Sequence, residues 1–265
     1  MTDRQTDAEF ASKTYQNFIS LGYFCEVAQD LEKMGLRNTS SPFDWCITNF
    51  AKNIELIENR FDDFMNYDNL AQSVNEPNHY LDTKYNDYFF HDFNQYDPLP
   101  NQYEAVKAKY DRRIKRFLKN IEQPTLFVRY ISNEKKTPDG QSAELTWIET
   151  NYEYVQRVLK SYNAENEVIF IGDMDTKSDK IKVYNVAIDE GDVVSRSPIY
   201  NNGELLPLMT SFHIDGQEAN QRRFEAKKAR KHSLKTRVHG KAMSAWQNLT
   251  RKVYRHTKTY QTPGK

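Results

Sequence analysis

Three short stretches of this chain are almost continuously apolar: Asn17–Gly22 (NFISLG), Thr125–Tyr130 (TLFVRY) and Glu167–Gly172 (EVIFIG). A strand that faces water on one side alternates apolar and polar residues, whereas an unbroken apolar run fits a strand covered on both faces. Longer segments with helical spacing lie between these runs. Val27, Ala28, Leu31 and Met34 recur in Cys25–Met34, and Ile54, Ile57, Phe61 and Phe64 in Ile47–Phe64. Tyr103, Val106, Tyr110, Ile114 and Phe117 form one stripe of Asn101–Ile121, and Glu144–Tyr162 supplies a further helix. Strands alternating with helices predict an α/β fold with a mainly parallel central sheet flanked by helices on both faces.

The remaining segments are less regular. Residues 66–84 read as irregular, Tyr85–Phe93 (YNDYFFHDF) as extended, and Ile181–Ile188 as an edge strand. The expected organisation is a flexible N-terminus over 1–13, an α/β domain over 14–212 and a basic helical extension over 213–265. Two basic helices are expected from Gln217 onward, the second carrying Met243, Trp246, Leu249 and Val253 on one side. No internal repeat is visible.

Composition narrows the setting. The 17 Tyr and 15 Phe among 265 residues supply rigid contact area for a core. Two cysteines are too few for a disulfide scaffold and suit a reducing compartment. Met1–Lys13 has no apolar stretch of signal-peptide length, and no run of 18 apolar residues occurs, so a cytoplasmic protein is expected. The formal net charge of zero is unevenly spread: residues 217–265 hold 14 Lys and Arg against Glu218 and Glu225. Such a tail suits an anionic surface, such as the inner face of a membrane, or an acidic body onto which it folds back. With no recognised nucleic-acid-binding motif, sequence-specific nucleic-acid binding is not expected.

Cys25 falls at a strand-to-helix turn, where the helix dipole and unpaired amides favour a thiolate, the nucleophilic form. The plainer reading is a small buried hydrophobe, and for Cys46 packing is the expected role. His91 stands in an aromatic stretch, while His79 lies in a loop, His213 is a lesser candidate, and His232, His239 and His256 belong to the tail. A base beside a thiol needs an orienting group, and Asp44, Asp92 and Asp173 are each placed at loop or strand-end positions. Phosphate-loop and dinucleotide fingerprints are missing. Asp173 and Asp175 form a DxD-like pair that could hold Mg²⁺ or Mn²⁺, although two aspartates after a strand are more often a solvated turn. No zinc-ligand spacing is present, and no other cofactor is expected.

Several separated motifs occur in one order: Phe18-Ile19-Ser20-Leu21-Gly22-Tyr23-Phe24-Cys25-Glu26-Val27-Ala28, then Leu31, Gly35-Leu36-Arg37 and Ser41-Pro42-Phe43-Asp44-Trp45. Phe90-His91-Asp92-Phe93, Tyr110-Asp111-Arg112-Arg113 with Arg116-Phe117, and Leu126-Phe127-Val128-Arg129 follow. Over roughly residues 17–172 the chain resembles the putative papain-like cysteine peptidase family, a family of unknown function. The resemblance implies a Cys25–His91 centre with Asp44 or Asp92 orienting the imidazole, acting by hydrolysis or acyl transfer on a small-molecule, peptide or glycan substrate. The Cys-before-His order agrees with papain-like enzymes, but the interval is shorter and the local papain signature is absent. Arg37, Arg112 and Arg129, with Trp45, fall in the same motifs as ligand-binding candidates, since guanidinium groups suit bidentate recognition of phosphate or carboxylate. For Arg113, pairing with the acidic body is the expected role. The family's association with surface-polysaccharide genes implies an alternative, a polysaccharide-pathway transferase binding a phosphate-bearing donor. A non-catalytic binding module is the second alternative.

Overall fold

The apolar runs become strands buried along nearly their whole length. The computed structural model describes residues 6–237. Its elements are α1 (Asp7–Ala11), β1 (Asn17–Ser20), α2 (Glu26–Lys33), β2 (Cys46–Ile47), α3 (Phe50–Glu58), β3 (Leu70–Gln72), β4 (Tyr80–Asp82), β5 (Asp87–Phe89), α4 (Leu99–Asn120), β6 (Thr125–Tyr130), α5 (Ala143–Lys160), β7 (Glu167–Asp173), β8 (Val183–Val186), α6 (Leu205–Ser211) and α7 (Gln217–Arg237).

Strands β1, β6, β7 and β8 lie side by side in that order, all parallel. Successive residues point to opposite faces, so the sheet divides its apolar side chains between two cores. Ile19, Phe127, Val168 and Phe170 pack with α3, α4 and α5 residues such as Ile54, Tyr110, Phe117, Ile148 and Val155. Phe18, Leu126, Val128, Ile169 and Ile171 pack with Phe10 of α1, Val27 and Leu31 of α2, and Leu205 and Met209 of α6. This is the parallel, two-faced α/β arrangement that the runs predict, with β8 at the edge of the sheet.

A second sheet, order β2-β5-β4-β3 and antiparallel throughout, has β5 inside the stretch Tyr85–Phe93 expected to be extended and adds three strands the sequence did not indicate. Two of its short strands, β3 and β4, fall in the 66–84 stretch expected to be irregular, and Cys46, Tyr80 and Phe89 join the first core. The helix expected over Ile47–Phe64 is shorter: after Glu58 the chain turns, with Arg60, Phe61, Asp63 and Met65 at positive φ. Phe61 and Phe64 are still buried, so their apolar spacing reported burial rather than helix. Residues 7–11, expected to be flexible, form a helix with a Thr6–Glu9 capping box and a buried Phe10.

The basic extension begins as α7, seated on the end of α2. Gln217 and Gln221 side chains donate to Met34 O, and Asn220 donates to Gly35 O and Asn38 Oδ1. The expected second basic helix, with Met243, Trp246, Leu249 and Val253, lies outside the described residues.

Candidate active site

In a parallel sheet the turns beyond the strand carboxyl ends gather loop residues and helix N-termini into one place. Here the turn after β1 is tightly held. Leu21 N donates to Val128 O at 2.9 Å and Tyr130 N to Gly22 O at 3.1 Å. Gly22 has φ +80°, and a Cβ there would lie 2.3 Å from Thr48 Oγ1 and 2.9 Å from Arg129 Nη1, so backbone freedom and space both call for glycine. This turn delivers Cys25 to the N-cap of α2.

The Cys25 side chain is buried, at 7 % exposure. Gln29 Nε2 donates to its sulfur at 3.2 Å, and the thiol donates to Glu26 Oε2 at 3.5 Å. Burial pushes the thiol well above the ordinary cysteine value, the Glu26 carboxylate pushes it further, and the Gln29 N–H opposes both. Burial likewise raises Glu26, to about 7. Cys25 is therefore a protonated thiol at neutral pH, lying between a hydrogen-bond donor and an acceptor.

Arg129 is the fastener beneath this turn. It is fully buried, and its Nη1 donates to Leu21 O and Thr48 Oγ1, both at 2.7 Å. Its Nη2 donates to Thr48 O and Glu144 Oε2, and its Nε to Glu144 Oε1. All five guanidinium donors are satisfied inside the protein, tying β6 to the β1 turn, to the β2–α3 connection and to α5. In this structure the residue expected to grip a ligand has no donor left to offer one.

Asp44 is similarly enclosed. Arg37 holds its Oδ2 through both Nε and Nη2, and Ser41 N donates to the same oxygen at 2.8 Å. Burial raises the Asp44 carboxyl, against the lowering effect of Arg37. Arg37 also donates to Glu32 of α2 and to Ser40 Oγ, and lies 5.8 Å from the Trp45 ring centroid.

His91 follows β5 in a bend and is exposed. Its ring is edge-on to Trp45, with centroids 6.3 Å apart. The Phe90 ring stacks on that of Phe24 at 5.8 Å. Consequently the residue before Cys25 touches the residue before His91, and the segment that follows β1 packs on the segment that follows β5. His79 also belongs to this corner: Tyr88 Oη and His79 Nδ1 are hydrogen-bonded at 2.7 Å, and its ring is 6.2 Å from Phe90. Burial, with the nearby His91, lowers His79 to about 4, so its imidazole is neutral.

The other expected residues lie elsewhere. The Asp92 carboxylate meets Lys109 and Tyr110 of α4, with Arg113 Nη1 at 3.9 Å from Oδ1. Arg112 is exposed on α4. Asp173 accepts from Asn133 Nδ2 and Thr176 Oγ1, bracing the turn after β7, and Asp175 is exposed. Among the described residues no three His, Cys, Asp or Glu side chains are grouped as metal ligands, and no helix is long and apolar enough to cross a membrane.

Sequence reasoning did not single out Glu26, Gln29 or His79. The available signal for Gln29 was position, four residues after the N-cap on the same helix face; Glu26, the next residue in the chain, carried no such signal. Nothing local marked His79, whose place depends on a hairpin of three-residue strands.

A family model described as putative papain-like cysteine peptidase matches residues 16–157, more than half of the chain. An uncharacterized protein of Acanthamoeba polyphaga mimivirus is 35% identical over 120 residues, covering 38% of this chain and 54% of the relative. The chain thus spans about half the length of that relative. No solved structure matches.

Proposed function

Given that the chain belongs to the putative papain-like cysteine peptidase family, we propose that it is a cysteine-dependent hydrolase or acyltransferase with Cys25 as nucleophile and His91 exchanging protons with the leaving group. The contact that carries this reading is the Phe24–Phe90 stack, which brings the Cys25 and His91 segments together from different sheets. Cys25 sulfur attacks an acyl carbonyl, its proton leaves for an adjacent base, and the leaving group departs with a proton from His91. The resulting thioester passes its acyl group to water or to another nucleophile. Because burial keeps the resting thiol protonated, proton removal must accompany attack. Trp45, edge-on to His91, offers an aromatic wall for the substrate.

Hydrolysis or transfer from a panel of peptidyl and simple acyl thioesters tests the proposal. Cys25→Ala and Cys25→Ser are expected to abolish turnover, and His91→Ala to lower it by about 10²-fold or more. Cys46→Ala should leave turnover intact. Turnover retained in both Cys25 variants contradicts the proposal.

A further inference from the structure

Glu26 opens α2 with its carboxylate in reach of the sulfur beside it. The Cys25 thiol donates to Glu26 Oε2 at 3.5 Å, while Gln29, one turn along, donates to the same sulfur at 3.2 Å. The sulfur thus has an acceptor for its proton and a donor for the electron pair that would remain. Two other elements feel the charge of this half-buried carboxylate: Tyr130 at the end of β6 and Arg196 of the segment following β8. Ser195 N of that segment donates to Tyr130 Oη at 3.2 Å, and Ile199 N donates to Asp30 Oδ2 at 2.9 Å. Asp30, on the next turn of α2, is the other carboxylate acting on Glu26, and Arg196 is the cation acting on it.

We propose that Glu26 is the base that accepts the Cys25 proton, leaving His91 to serve the leaving group. This inference rests on the reading of Cys25 as nucleophile. In the step, the S–H bond breaks, its proton moves to Glu26 Oε2, and the freed electron pair forms the bond from sulfur to the electrophile. Gln29 Nε2 keeps its hydrogen bond to the thiolate. Burial has already shifted Glu26 to about 7, where a carboxylate is ionised often enough to accept a proton yet basic enough to hold one.

The alternative role makes an opposite prediction. If Glu26 merely places a negative charge beside sulfur, its removal eases thiolate formation and quickens the reaction of Cys25 with electrophiles. If Glu26 is the base, removal slows it. Iodoacetamide distinguishes the two, with the Sγ–C bond forming as iodide leaves and site occupancy read by peptide mass mapping. For the full-length protein the Cys25 alkylation rate should rise through pH 7 and then level. In Glu26→Gln it should fall about tenfold or more at pH 7.5, whereas His91→Ala should alkylate at the wild-type rate while losing turnover. An equal or faster rate in Glu26→Gln overturns the inference and leaves Cys25 standing as nucleophile. Should that variant fail to fold, the wild-type profile decides: a rate that climbs steadily past pH 9 is direct thiol titration and also overturns it. If Cys25 is not alkylated at any pH while the protein is folded, both readings fall.

Discussion

Asp87 shows what burial costs a single side chain in this protein. It has no exposed surface, and neither carboxyl oxygen has a hydrogen-bond partner among the described residues. The Arg129 charge and a weak approach of the Asn49 backbone N–H are what oppose its burial. Burial, aided by Asp82, drives its pKa far up. The unfolded chain releases this proton near the ordinary carboxylate value of about 4, while the folded chain retains it, so the folded state binds more protons and loses stability as pH rises above that value. Asp87→Asn should therefore raise the thermal unfolding midpoint, by a gain that is small at pH 4 and larger at pH 8. A gain that shrinks with rising pH would contradict this account of the site. Arg129 poses the opposite case, a buried charge with every donor used. Arg129→Met strands the Glu144 carboxylate and should cost about 3–5 kcal/mol of stability in denaturant unfolding. A guanidinium inside the run TLFVRY was a visible sign that a partner must exist. Its identity was not visible, because Glu144 stands 15 residues away on a helix.

At the level of elements, the turn after β1 connects the sheet to the proposed nucleophile, and Gly22 is its tightest point. Gly22→Ala adds a methyl group 2.3 Å from Thr48 Oγ1 at a φ of +80°, and should cost roughly 2–3 kcal/mol of stability. Circular-dichroism melting would register the loss. The strands on either side of this turn were readable because β1, β6 and β7 are buried on both faces and so are apolar almost without interruption. Of the second sheet only the stretch around β5 read as extended, since β2, β3 and β4 are two or three residues long and too short to show any period. The corner formed by Phe24, Phe90, Trp45 and His91 was hidden for the same reason, since it depends on where β5 pairs.

For the whole molecule, a sheet covered on both faces shares one of its cores with a small antiparallel sheet, and α7 is fastened to the end of α2 by side-chain amides. Asn220 is the buried member of that fastening. Losing its hydrogen bonds to Gly35 O and Asn38 in Asn220→Ala should loosen α7 by about 1–2 kcal/mol, visible as faster tryptic cleavage within residues 222–230 and little change in body unfolding. The Lys227–Glu32 pair, 3.0 Å apart with the lysine exposed, should add little at physiological salt. Alternating elements announced the layered architecture in the sequence, but the packing of Phe24 on Phe90 is a long-range outcome that no local pattern carries. The most direct test of the proposed centre is to mix full-length protein with an acyl thioester, quench in acid within one turnover, and map the acyl mass by peptide sequencing. The account predicts a single thioester on Cys25, absent from Cys25→Ala and formed more slowly in His91→Ala. An acyl group on another residue, or the same turnover without any covalent adduct, would contradict it.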